Sequence, residues 1–532
     1  MPKTLGLFQA DLSSNGIGLR SRLLEPLLAG KPLIRRIVEG IAACKSISRA
    51  AVVVEPKDAA LIADALRGTD CRVIESALPD VPLRSIWRRA RKWALNGWAG
   101  GIGDTFLFAE EGNPFAMSFA AEKEGADIVV KFSAMSPFVD REMVDAMVAE
   151  LIEKKEAANL LHSAAPPGFS YEIYSRKILE LMARAGTTLQ DFLQFRPTPG
   201  GAPGLDPTVT QSFFLLPAET ASANYRFMVD SRRGIELVSS LIERRGVEVL
   251  SAPCLETIRF LDTQPDLWAG RIPCEVDFEF GDGSAGPQRA AVLEGLVDEL
   301  VEFDDVRLSI DLPDNATGLD ELGRLLTKAR SAGIYGLHVG AHATAVSPGL
   351  LARCVEAKVD VISVRLSRDP DSGPGSDVES HTKVIENARA MIEQAKNSGG
   401  SAPFIVPEFV VTRDNWHEQE SFFDSWFPGT GHVVFRVFDD RAGAVEDRAV
   451  MHLAPGRRRV CRKIMDRLYV RSNGDVPVCC VDSDSGRALG SAGRAPLASM
   501  WQSRTLSDLR RAHAAGDFTT FPLCAKCNSW AE

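Results

Sequence analysis

Two hydrophobic rhythms alternate along this chain. Up to about residue 262, short apolar runs rich in β-branched residues alternate with stretches whose apolar positions recur every three to four residues. "RAAVVVEP" (49–56) reads as a buried strand, and it follows the amphipathic helix "LIRRIVEGIAAC" (33–44). "ADIVVKFS" (126–133) reads as another strand, and "DREMVDAMVAELIEKKEA" (140–157) as the helix after it, with Met143 and Met147 on its core face. Apolar strands of this length between helices predict a mainly parallel sheet covered on its faces. The Pro/Gly-rich "FRPTPGGAPGLDPTVT" (195–210) predicts a loop within that unit.

Near "LDTQPDLWAGRIP" (261–273) the pattern restarts. "CEVDFEF", "DVRLSID", "IYGLHVG", "VDVISVRLS", "FIVPEFVV" and "HVVFRVFD" read as successive strands. Helices such as "LDELGRLLTKARSAG" (319–333) and "VIENARAMIEQAKNSG" (384–399) lie between them. Strands alternating with helices in this way predict a full or partial β/α barrel. From about residue 456 a cysteine-bearing tail begins. The chain is therefore read as α/β in three segments, 1–262, 263–455 and 456–532.

Composition narrows the picture. The chain has 532 residues, 45% apolar and 25% charged, as in an ordinary globular protein. Its net charge of −10 argues against a nucleic-acid partner, which needs a concentrated basic face. The basic runs "RRARK" (88–92) and "RRR" (457–459) read as solvated faces. No uninterrupted apolar stretch reaches membrane-spanning length, and the start does not read as a signal peptide, so a cytoplasmic location is expected. Thiols stay reduced there, and clustered cysteines point to a metal before disulfides.

Five of the ten cysteines are Cys461, Cys479, Cys480, Cys524 and Cys527. "SNGD" (472–475) is a turn signal, and a hairpin between "RLYVR" and "VPVCC" would fold Cys479 back toward Cys461. The "CAKC" loop presents two more sulfurs. Four convergent thiolates suit a [4Fe–4S] cluster or a Cys₄ zinc site. The spacing CX₁₂GX₄C, a linking segment with Gly490, "LASMW" (497–501) and Arg510 to His513, and then CxxC resembles the SPASM domain that is appended to radical S-adenosylmethionine (SAM) enzymes. The resemblance implies one auxiliary iron–sulfur cluster with Cys461, Cys479, Cys524 and Cys527 as ligands. Cys480 is a spare that could replace Cys479.

The stretch from 325 to 367, "LLTKARSAGIYGLHVGAHATAVSPGLLARCVEAKVDVISVRLS", resembles the middle of a radical SAM barrel. That family's first strand is followed by CxxxCxxC, which holds the SAM-cleaving cluster. This chain reads "PCEVDFEFGDGSAGPQRAAVLEGLVDEL" there, and its only cysteine, Cys274, precedes the strand. "DLPDNAT" (311–317) replaces the family's Gly-Gly-Glu segment. A barrel without S-adenosylmethionine cleavage is expected. The acidic alternation Glu275, Asp277, Glu279, Asp282 reads as one solvated strand face rather than a set of metal ligands. His338 and His342 sit four apart across a predicted strand end, so they need not share a face. "NWHEQESFFDSWF" (415–427) reads as a helix with its aromatics against the barrel.

In the first segment, "GLFQADLSSNGIGLRSRLLEPLLAGKPLIRR", "GADIVVKFSAMSPFVDREMVD", "PPGFSYEIYSRKILELMARA" and "NYRFMVDSRRGIELVSSLIE" resemble, in order, the motifs of CMP-sugar cytidylyltransferases. The resemblance implies a GT-A-like, nucleotidyltransferase-type sheet. It places Arg20 or Arg22 and Lys31 on phosphate, Glu172 at the sugar site and Asp230 as one Mg²⁺-associated carboxylate. The family's second carboxylate belongs in a turn that here reads Ala134-Met135-Ser136-Pro137. Methionine cannot serve a hard oxygen-seeking ion. Asp140 is expected to cap the following helix instead.

The order of the three segments resembles the spiro-SPASM architecture. An iron–sulfur accessory, redox or binding protein in sugar-nucleotide or glycan modification is the leading expectation, with a nucleotide or sugar nucleotide and a redox or protein partner. The alternatives are an active Mg²⁺-dependent cytidylyltransferase and a Cys₄ zinc scaffold.

Overall fold

The computed structural model describes residues 2–77, 92, 113–154, 159–186, 213–221, 223–281, 287–313, 316–342, 345–367, 378–398, 402–430, 433–451, 458–482 and 488–531. The loop at 195–210, Asp282 and most of the "RRARK" run lie outside these residues. The chain divides into two compact units, the first made mostly of residues up to Asp262 and the second mostly of residues from Thr263 onward.

The first unit is built on seven strands: β1 (Thr4–Ala10), β2 (Arg49–Val54), β3 (Arg72–Glu75), β4 (Ile128–Lys131), β5 (Leu160–Ser163), β6 (Glu172–Ser175) and β7 (Phe213–Phe214). Their order is β3-β2-β1-β4-β6-β5-β7. β6 is antiparallel to its neighbours β4 and β5, and the other pairings are parallel. The central strands are almost wholly buried because both faces carry helices. Helix Leu33–Ala42 turns Leu33, Ile34, Ile37, Val38 and Ile41 inward, the periodicity read from its sequence. Asp140 caps helix Arg141–Glu153, accepting from Met143 N at 3.0 Å, and its other oxygen accepts from Cys254 N at 2.8 Å. Met143 and Met147 are buried in the core.

The second unit holds a seven-stranded sheet whose six predicted strands all form: β8 (Glu275–Glu279), β9 (Arg307–Leu312), β10 (Gly336–His342), β11 (Val361–Arg365), β12 (Phe404–Val411) and β13 (Val434–Val437). Its seventh strand is β14 (Arg467–Val470), "RLYV" from the cysteine tail, and the order is β13-β12-β11-β10-β9-β8-β14, parallel throughout. The expected hairpin is therefore only a turn. Arg471 N donates to Asp475 O at 2.9 Å, after which the chain diverges. β14 pairs with β8, while β15 (Asp475–Pro477) pairs antiparallel with β16 (Ala488–Ser491). The reason lies in the period-2 pattern of "RLYV": Leu468 and Val470 join the barrel's apolar layer, leaving Arg467 and Tyr469 on the opposite face.

That alternation runs across the sheet. Val276, Phe278, Leu308, Ile310, Leu337, Val339, Ile362 and Val364 face the helices in one continuous core. In the 415–427 segment, Phe422 and Trp426 join this core, but Trp416 is exposed because the helix begins only at Gln419. The tail shares the same core through Trp501, which is wholly buried and donates from Nε1 to Ala269 O at 3.1 Å. Arg510, 1% exposed, lies over the Trp501 ring and ties Trp501 O and Ile464 O together at 3.0 and 2.9 Å.

Candidate metal centre

Cys461, Cys479, Cys480, Cys524 and Cys527 all border one cavity, together with Arg458, Lys463, Ile464, His513, Phe521 and Trp530. Each strand or helix end contributes for a local reason. Cys461 stands just before helix Lys463–Asp466, so its sulfur meets the N–H groups of Lys463 and Ile464 at the helix start. Cys479 follows β15 and faces the Val481 N–H. Cys524 sits in helix Pro522–Lys526, whose last turn swings Cys527 toward the Ser529 N–H. Among the described residues, no three His, Cys, Asp or Glu side chains converge on a single-ion point. The sulfurs surround a space.

Burial pushes the Cys461 thiol up to about 12 and Cys524 to about 11, and it raises Cys479 and Cys527 as well. Neighbouring thiols add to this, Cys527 on Cys461 and Cys480 on Cys479, which places them within electrostatic reach of each other. Such thiols become thiolates when a cationic metal centre supplies compensating charge. All ten cysteines are free thiols.

Two cationic or donor side chains on the wall complete the fit. His513 is 2% exposed, and its Nδ1 accepts from Cys461 N at 3.3 Å. Its Nε2 is buried with no acceptor among the described residues, and so is Arg458 Nε. A thiol-lined cavity with unmatched N–H donors suits a group that brings metal charge to the thiols and sulfur acceptors to the donors. The donor set therefore fits an iron–sulfur cluster.

The polar face of the barrel sheet is a second concentration of ionisable groups, and its geometry corrects two expectations. Glu275 is 6% exposed and is paired rather than solvated, accepting from Ser309 Oγ at 3.1 Å and lying 3.4 Å from Arg467. His338 and His342 both lie within β10, four residues apart, and so share a face. His338 Nε2 meets Ser363 Oγ at 2.9 Å; His342 bridges Arg365 at 3.1 Å and Asp311 at 3.2 Å. Glu408 forms a two-pronged pair with Arg436 at 2.6 and 2.7 Å. Burial opposes ionisation of Glu275, but Arg467 and Arg307 overcome it and hold its carboxyl down at about 2. Asp277 goes the other way. Burial, with Glu275 and Asp311 nearby, lifts it to about 7 against the pull of Arg467. The signal for this network was present as alternation in "CEVDFEF", but alternation alone does not distinguish an inner face from a solvated one.

In the first unit, Arg20 is 84% exposed and 3.5 Å from Glu25, while Lys31 pairs with Glu39 at 2.8 Å. Arg22 is half-buried in the same loop. Glu172 is buried, bonded to Lys131 Nζ at 2.7 Å and to the Tyr174 hydroxyl. Asp230 is held by both guanidinium nitrogens of Arg226. Asn15 Nδ2 donates to Asp230 O at 2.6 Å while its Oδ1 accepts from Leu19 N at 2.9 Å, which pins the arginine-bearing loop to Asp230. Met135 is buried in the turn where a second carboxylate was expected, and Asp140 is committed to its cap.

Comparison with known proteins agrees with the tail's geometry. Residues 461–528 match the SPASM family, an iron–sulfur cluster-binding domain. An uncharacterized protein of Treponema pallidum (strain Nichols) is 28% identical over 127 residues, 23% of this chain and 33% of its own length. The match thus spans about a third of that relative. Among solved structures, a cytidylyltransferase from Leptospira borgpetersenii aligns over 50% of this chain and 97% of its own, with 17% identity and a TM-score of 0.35. Streptococcus suis SuiB, bound to the precursor peptide SuiA, aligns over 56% and 84%, with 12% identity and a TM-score of 0.35. The tail is a SPASM-type iron–sulfur-binding domain. Among the described residues, no helix is long and apolar enough to cross a membrane.

Two measurements probe the charge pairs. Lys131→Met strands the buried Glu172 carboxylate and is expected to cost about 3–5 kcal/mol in denaturant unfolding, much of it recovered by adding Glu172→Gln. Asp277 has a folded-state value above its ordinary 3.8. Its contribution is therefore complete below about pH 4 and is lost as pH rises through about 7. Asp277→Asn, neutral throughout, should melt higher than wild type at pH 8 and alike at pH 4; equal melting at both would remove Asp277 as the titrating group.

Proposed function

We propose that this protein is a one-cluster redox or binding protein, with a [4Fe–4S] cluster held by Cys461, Cys479, Cys524 and Cys527. The observation that carries this is a single cavity bordered by those thiols and served by backbone N–H groups. A cuboidal cluster fills space between its ligands, whereas zinc needs four sulfurs about 2.3 Å from one point. Bound there, the cluster supplies one-electron transfer without an open iron. The chain's own part is to exclude water, aim the sulfurs and donate hydrogen bonds to them. Cys480 is the fifth thiol of the wall and stands near Arg467.

On this reading the barrel does not generate radicals. No cysteine occurs between Cys274 and Cys354, so the three-thiolate motif has no residues to form it. The charged groups on its polar face are engaged with each other. The first unit binds a nucleotide or sugar nucleotide without transferring it. In support, Asp230 is neutralised by Arg226 and Glu172 by Lys131, which leaves neither carboxylate positioned for Mg²⁺. A sugar-nucleotide-type module joined to a SPASM domain points to glycan modification as its setting, by association of modules.

Protein purified without oxygen is expected to contain about four irons and four acid-labile sulfides per chain, and Cys524→Ala should lose most of both. One zinc with no sulfide would replace the cluster by a structural clasp. With CTP, Mg²⁺ and acidic sugars, no pyrophosphate is expected. Pyrophosphate release abolished by Asp230→Ala would establish a working transferase instead.

A further inference from the structure

His513 does two things at once in helix Arg504–Ala514. Its Nδ1 accepts the Cys461 N–H at 3.3 Å, so the ring proton belongs on Nε2. Phe518 packs edge-on against the imidazole, with ring centres 5.0 Å apart, and fixes its plane. Three residues earlier, Arg510 holds Ile464 O, so one helix face secures both ends of the Cys461 turn. The ring is buried on the wall of the cysteine cavity, and its Nε2 has no acceptor among the described residues. Beside it, the Arg458 guanidinium lies over Phe518, its centre 4.5 Å from the ring, and bonds to Cys524 O. Its Nε is likewise buried and unmatched on the same wall. Leaving a buried donor unmade is costly, so two such donors on one cavity wall imply an acceptor that belongs in the cavity.

We propose that His513 Nε2–H, flanked by Arg458 Nε, donates a hydrogen bond to a sulfur of the cluster and sets its reduction potential. This rests on the cluster reading above. Adding one electron makes the cluster more negative, and a fixed donor stabilises that added charge, so the bond raises the potential. His513 is a positioning residue for Cys461 and an electrostatic one for the cluster, and the two roles separate experimentally.

The test is a potentiometric titration of full-length, anaerobically purified protein, followed by electron paramagnetic resonance. It is run on wild type, His513→Phe, His513→Gln and Arg458→Gln, with iron and sulfide measured in each. The expected result is a more negative midpoint in His513→Phe, a return toward wild type in His513→Gln, which keeps an N–H donor, and a smaller negative shift in Arg458→Gln. Electron–nuclear double resonance of the reduced wild type should show an exchangeable proton coupling that His513→Phe lacks. A purely structural role would lower iron content and leave the midpoint of the remaining cluster unchanged; that outcome overturns the proposal. If His513→Phe holds no iron, an unchanged midpoint in Arg458→Gln, with no exchangeable coupling in wild type beyond that of the backbone N–H groups, overturns it equally. Wild type lacking iron and sulfide refutes the cluster itself, a failure distinct from that of the donor.

Discussion

The pairing of β14 with β8 is the contact on which the second unit depends. It adds a strand from the cysteine tail to the sheet of the barrel, so that Leu468 and Val470 enter the barrel's core and Arg467 reaches Glu275 and Asp277 on the other face. Cys461 lies six residues before β14, and Cys479 lies nine residues after it. The strand therefore anchors the turns that carry both thiols. A cysteine cavity built on free loops would have to order those loops when its metal bound; here a parallel ladder and a shared core have already done so.

Trp501 and Arg510 close the same arrangement from the opposite side. A buried guanidinium is expensive to leave unsupported, and Arg510 meets a ring face and two carbonyls, while its Nη2 has no acceptor among the described residues. Since one of those carbonyls belongs to the turn after Cys461, the helix that carries His513 is fixed relative to the thiol it touches. Fold stability and cavity geometry are thus held by the same few side chains.

Much of this was legible from residue patterns. Six of the seven strands of the second sheet follow from apolar runs, and the cysteine spacing indicated which thiols share a cavity. The pairing of β14 was not legible, because "SNGD" reports a local turn and says nothing of a competing partner almost two hundred residues earlier in sequence. The paired inner face was missed for a related reason. Glu275 and Asp277 alternate with Val276 and Phe278 just as solvated residues would, and only the approach of Arg467 and Arg307 shows that they point inward. Arg226 as partner of Asp230 lies one helical turn away in sequence, but nothing in "NYRFMVD" distinguishes that pair from a solvated one.

The buried carboxylates and the cysteine cavity differ in the partners the chain gives them. Glu172, Asp230, Glu275 and Glu408 each have a cationic partner within the chain, so their charge is already spent on the fold. A carboxylate bound in this way can coordinate a metal only after its partner moves, which exposes a second buried charge. The cysteine cavity has the opposite character. Burial raises the thiols of Cys461, Cys479, Cys524 and Cys527, backbone N–H groups meet its sulfurs, and buried donors of His513 and Arg458, which line it, have no acceptor among the described residues. Such a wall is electrostatically incomplete, and the group that completes it must bring metal charge to ionise the thiols and sulfur to accept the donors. An iron–sulfur cluster meets both requirements.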